Sequence, residues 1–152
     1  MARRPADPGP LRLLAMDPDD LPILSAALQD AVCKIGDLRY EPAARRFTLA
    51  ANRFRWERGV KTRERVRTAL QFGGVLKAEA RRLRRDAPDA VLELLALEWE
   101  GAGGEDPGGA VVLRFAGGGD MRLTVEALDA VLADVSGPWP AVAAPKHDLD
   151  AR

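Results

Sequence analysis

The chain reads as a mainly β, α+β protein: an antiparallel β-sandwich or barrel of about seven strands, opened by one helix and closed by another. Three observations predict this. Between Ala110 and Val135, Val111, Leu113 and Phe115 alternate with Val112 and Arg114, and Gly117-Gly118-Gly119-Asp120 makes a turn. Met121, Leu123 and Val125 then resume the alternation against Arg122 and Thr124. Period two on both sides of a glycine turn predicts a hairpin. From Glu126 the spacing changes, placing Leu128, Val131, Leu132 and Val135 at i, i+3, i+4 and i+7, one face of a closing C-terminal helix that Ser136-Gly137-Pro138 stops. Finally, five alternating runs follow one another between residues 32 and 100 with short connections, which implies antiparallel neighbours.

Each element has its own local reason. Residues 1–10, rich in Pro and Arg, read as a disordered leader; 11–137 form a single globular domain, and 138–152 a Pro-rich C-terminal tail. Leu11–Leu14 fits either an edge strand or the approach to a helix. Asp17 is a good N-cap, Pro18 suits the first helical position, and Asp19 and Asp20 complement the helix dipole. Leu21, Leu24 and Leu28 then form a stripe on an N-terminal helix reaching about Asp30. Val32–Tyr40 is a strand bent at Gly36-Asp37, and Glu41–Ala44 turns it. Arg46–Trp56 follows, with Phe47, Leu49 and Ala51 on one face. Phe54 and Trp56 take the opposite parity, so one bulge near Asn52 would bring all five together. A basic loop over 57–64 leads to Arg65–Phe72. Gly73-Gly74 is a two-residue turn of the positive-φ kind, and Val75–Leu83 returns. Arg84–Ala90 is a linker. Val91–Glu100 fits a strand or, by its Leu and Ala content, a helix.

At 152 residues the chain is long enough for one domain with a real core. No apolar run approaches the roughly 20 residues that cross a bilayer. MARRPADPGP leads into Pro and Gly rather than an apolar signal region, and Cys33 stands alone, without a disulfide framework or a metal-ligand pair. A cytoplasmic location is expected. Net charge is zero, yet residues 39–85 hold fifteen Lys/Arg and four Asp/Glu, leaving eight and nineteen elsewhere. Such asymmetry marks an interaction surface, or basic strands that fold beside acidic segments. Only four of the cationic residues are lysines, a bias that a GC-rich genome produces without functional demand.

The strand count and the closing helix resemble the pleckstrin-homology-like superfold, in which such a helix plugs the open corner between two sheets. A second resemblance runs through LQDAVCKIGDLRYEP (Leu28–Pro42), RRFTLAANRFRWE (Arg45–Glu57), DAVLELLALEWE (Asp89–Glu100), LRFAGGGDMRL (Leu113–Leu123) and PKHDLD (Pro145–Asp150). These pieces are similar to an uncharacterised family of small alphaproteobacterial proteins, a domain of unknown function. That resemblance implies a free-standing domain and brings no activity, cofactor or catalytic residue with it.

Catalytic chemistry finds few convergent groups. His147 is the only histidine and sits in the Pro-rich tail; Cys33 reads as a buried thiol; Asp30, Asp37 and Glu98 offer carboxylates without a constellation. The glycine clusters do not precede a helix N-terminus and read as turns. No catalytic, cofactor or metal residue is assigned, and no enzyme activity or cofactor is expected. The leading expectation is a binding or adaptor module for an unknown protein or peptide. The alternative is polyanion or nucleic-acid binding through the Arg45–Arg67 segment, with Arg53, Arg55, Arg63, Arg65 and Arg67 on phosphates and Arg55 and Arg65 exposed. A homodimer through a Val111–Leu113 edge is a further expectation.

Overall fold

The computed structural model describes residues 7, 9–59, 61 and 63–141. Eleven strands are described: β1 (Arg12–Ala15), β2 (Val32–Lys34), β3 (Leu38–Glu41), β4 (Arg46–Phe54), β5 (Glu64–Phe72), β6 (Val75–Arg81), β7 (Val91–Gly101), β8 (Gly109–Phe115), β9 (Asp120–Val125), β10 (Ala130–Asp134) and β11 (Trp139–Pro140). Among the described residues a single α-helix, α1 (Leu21–Ala27), lies between β1 and β2. All pairings are antiparallel, in the order β1-β10-β5-β4-β2-β7-β8-β9-β6, with β3 added to β4 and β11 to β5. No described pairing joins β1 to β6, so the sheet is not closed. The mainly β reading therefore holds, with Val91–Glu100 within a strand and Arg12–Ala15 an edge strand.

The closing C-terminal helix is corrected to a strand. β10 lies between β1 and β5, with Ala130 opposite Phe72 and Leu132 opposite Leu70. Leu128, Val131, Leu132 and Val135 satisfy a helical period, but Leu128, Ala130, Leu132 and Asp134 equally satisfy a period of two. The second pattern matches burial: Leu128, Ala130 and Leu132 are in the core while Val135 is exposed. What decides is the unpaired edge of β5, whose backbone groups need partners in a protein interior. The closing helix of the pleckstrin-homology-like likeness is thus a strand, and the described strands number eleven rather than about seven.

α1 is also shorter than its pattern. Asp17 accepts the Asp19 amide at 2.8 Å and caps a 3-10 turn over Pro18–Asp20, as its sequence predicts. α1 then lasts seven residues before Asp30 adopts left-handed φ at 62° and turns the chain into β2. The helix buries Leu21 and Leu24 in the core, where Leu28, just past its end, joins them. The Leu97 amide donates to Ser25 Oγ at 3.0 Å, fastening α1 to β7.

Two turns differ in kind. The hairpin at Gly117-Gly118 is as expected, with φ of 90° and 94°, and β8 pairs β9. Gly73-Gly74 instead makes a corner: β5 pairs β4 and β10, while β6 crosses to pair β9. There Gly73 N–H donates to the Asp129 carbonyl, Glu126 N–H to Gly74, and Val75 N–H to Arg45. Gly74 has φ of 63°, and a Cβ on Gly73 would lie 2.8 Å from Asp129 Oδ2, so neither position accepts a side chain easily. The core fills the space between the two parts of the sheet, with Phe47, Leu49, Leu70 and Phe72 on one side and Leu113, Phe115 and Leu123 on the other.

Candidate interaction surfaces

β4 pairs β5 without a register shift from Phe47↔Phe72 to Phe54↔Arg65, so the bulge expected near Asn52 is absent from this pairing. The inward parity of Phe47, Leu49 and Ala51 consequently continues to Arg53. Its side chain is fully buried, 0% exposed, where the sequence reading placed a phosphate contact. Strand parity also carries Leu128, Ala130 and Leu132 forward to Asp134, whose side chain is 1% exposed. The two inward charges meet. Arg53 Nε and Nη2 donate to the Asp134 oxygens at 2.8 and 2.7 Å, Nη1 and Nη2 to Glu57 at 2.9 and 2.7 Å, and Nη1 to the Phe54 carbonyl at 3.3 Å. A guanidinium has five N–H groups, and each has an acceptor here. Burial works to raise the Asp134 and Glu57 carboxyls, but the hydrogen bonds and charge of Arg53 outweigh it and hold both below the ordinary carboxylate range.

Arg55, expected to be exposed, is likewise buried, at 2%. Its Nη2 and Nη1 donate to Asp7 at 2.7 and 3.1 Å, and Nη1 to Glu64 at 3.0 Å. The correction has the same cause: acidic residues elsewhere in the chain fold onto the basic strands. Arg65, also expected to be exposed, is half-buried, donates to the Asn52 carbonyl at 3.2 Å, and is pushed below its ordinary value by desolvation. Arg67 bridges Asp37 at 3.1 Å and Asn52 Oδ1 at 3.2 Å. Arg63 is exposed, at left-handed φ of 50°. The structure thus places the five arginines near one another on β4, β5 and their connection, with the charge of three spent on named carboxylates.

The other candidates are dispersed. Cys33 is buried, and desolvation pushes its thiol up to about 12, which makes it a poor nucleophile. Asp37 accepts the Lys34 amide at 2.9 Å besides holding Arg67, Glu98 pairs with Arg114, and Asp30 lies at the α1–β2 junction. His147 lies outside the described residues. Among the described residues no helix is long and apolar enough to cross a membrane.

The outward face of β7, β8, β9 and β6 is a charge ladder. Arg122 donates twice to Glu100 at 2.9 and 3.0 Å, Arg81 donates to Asp120 at 2.6 Å, and Arg122 lies opposite Glu79. The ladder runs out at β6, one end of the sheet, since β9 is the only described strand that pairs with it. Tyr40 Oη donates to the Val75 carbonyl at 3.0 Å and Arg45 takes the Val75 amide, so the chain itself occupies the start of that edge. Beyond a bulge between Val75 and Lys77 the edge runs on to Arg81, with Leu76, Lys77, Glu79 and Arg81 exposed. A cleft of about 430 Å³ adjoins it, lined by Leu76, Ala110, Arg122, Thr124 and Asp106 among others. The edge expected at Val111–Leu113 is corrected: β8 is paired on both sides, by β7 and β9.

A family model covers residues 11–147. The chain belongs to the family described as "Protein of unknown function (DUF2948)". The match spans every described strand, so β6 and its cleft lie within the family domain. No curated protein and no solved structure matches the chain.

Proposed function

We propose that this DUF2948 protein is a non-catalytic binding module that takes an extended partner segment as an added strand on β6. One observation carries the reading: the sheet ends at β6 on an edge that neither strand nor loop pairs from Leu76 to Arg81 among the described residues. An open edge offers ladder hydrogen bonds to any extended chain, and a flanking cleft supplies side-chain selection. The cleft beside Leu76 stands where such a side chain would reach. Asp37 and Glu98 are held by arginines and the Cys33 thiol is far from ionisation, which favours binding over acid–base or nucleophilic chemistry. Polyanion binding is the weaker reading, because Arg53 and Arg55 are neutralised inside the fold and only Arg63 among the five is fully open.

Panning a displayed library of random peptides against the intact protein tests this, followed by hydrogen exchange with the strongest synthetic peptide. Slowed exchange over Leu76–Arg81 and weaker binding by Glu79→Lys are expected. Protection confined to another part of the chain, or a panning against the monomeric protein that selects no peptide, overturns it.

A further inference from the structure

We propose that the added strand comes from a second copy of this chain, with β6 pairing antiparallel to β6 of that copy about Ala78. The inference rests on the strand-addition reading above and names its partner. Directly opposite residues in an antiparallel pair share a face of the sheet, so outward residues must stand opposite outward residues. On β6 the outward residues after the bulge are Lys77, Glu79 and Arg81, while Ala78 and Ala80 pack against the core. Parity then leaves four symmetric registers of three pairs or more within Leu76–Arg81. Centring on Ala80 sets Glu79 against Arg81, but over three residues only and with Arg81 drawn off Asp120. Centring on Lys77 sets that ammonium against its own copy. Centring on Glu79 sets two carboxylates together and Lys77 against Arg81. Centring on Ala78 places each Lys77 opposite a Glu79, twice over, with a methyl group at the axis.

The open run fits the same centre. Val75 is occupied by Tyr40 and Arg45, so the free edge begins at Leu76, and a pairing symmetric about Ala78 runs from Leu76 to Ala80 in both copies. Leu76, 49% exposed, comes alongside Ala80 of the second copy. Arg81 stays on Asp120, at 2.6 Å within its own chain, and is not asked to change partner. Lys77 and Glu79 are 3.5 Å apart in the single chain, both half or more exposed, a pair that exchange between copies replaces at little cost. The same two charges oppose the registers centred on Lys77 and Glu79, and the Arg81–Asp120 pair opposes the one centred on Ala80, so the edge is selective rather than merely open.

Sedimentation equilibrium on the full chain tests the pairing, with circular dichroism to show that each variant is folded. The native protein should dimerise. Lys77→Glu alone and Glu79→Lys alone should each weaken the dimer about tenfold or more, because both cross-strand pairs become like-charged. An equimolar mixture of the two variants should dimerise again, since each carries charges opposite to the other's, and the double swap K77E/E79K should dimerise as the native chain does. A native protein that stays monomeric at every soluble concentration overturns self-pairing, as do single swaps without rescue by mixing. If that monomer still binds selected peptides with protection over Leu76–Arg81, strand addition stands with another partner; if it binds none, both readings fall.

Discussion

Arg53 is the largest fully buried side chain among the described residues, and its place follows from strand parity rather than from its chemistry. A guanidinium in an apolar interior is tolerated only when its charge and its donors are matched, which Asp134 and Glu57 do from two directions. With Asp134 replaced by Asn, Glu57 still balances the charge, but an amide NH2 faces the guanidinium and one of its buried donors loses its acceptor. Asp134→Asn should therefore cost about 1–3 kcal/mol, as for buried donors left unsatisfied. Arg63→Gln, on an exposed side chain, should stay within about 0.5 kcal/mol. Urea titrations at neutral pH compare the two; equal and small midpoint shifts would mean that the buried pair does not hold β4 to β10. Net charge in a segment says nothing of this. Part of the excess over residues 39–85 is offset by Asp7, Asp37, Asp120, Glu126 and Asp134, each far in sequence from the arginine it pairs with.

β10 shows how one stretch supports two elements until a neighbour selects between them. A helix would bury Val131 and Leu132 alike, because they sit together on its apolar stripe. In the strand they point to opposite faces: Leu132 is at 0% exposure and Val131 is only part-covered. Leu132→Ala should cost about 2–5 kcal/mol and Val131→Ala well under half of that. Equal losses in a denaturant titration would contradict the strand. The hairpin of β8 and β9 was legible because glycines at positive φ and strict alternation agree, and so was the Asp17 cap. The β10 strand, the corner at Gly73-Gly74 and the inward Arg53 were not, because each depends on which distant strand lies alongside. β6 was read as a strand from its alternation, but its open edge follows only from the sheet order, in which β5 and β6 are neighbours in sequence and not in the ladder.

At the scale of the molecule, carboxylates bind the two ends of the described chain to its middle. Leu11 N–H and Arg53 share Asp134, Asp7 holds Arg55, and Glu57 and Glu64 complete the same wall. This ties β10 and the residues before β1 to β4 and β5, so protonating the wall loosens several elements together. The direction is set by the depressed carboxyls of Asp134 and Glu57. A carboxyl with a folded value below its unfolded one, about 3.9 for Asp and 4.3 for Glu, binds fewer protons in the native state. Its contribution is complete above the unfolded value and is lost as pH falls through the folded one. Urea midpoints should hence be level from about pH 7 to 5 and fall steeply below about pH 4. Glu57→Gln keeps an acceptor for Arg53 but removes one titrating group, so the variant should start lower at neutral pH and lose less on acidification. The two curves should converge as the native Glu57 becomes protonated. Parallel curves across the acid range would mean that Glu57 does not couple protonation to folding, and that acid acts on the protein elsewhere.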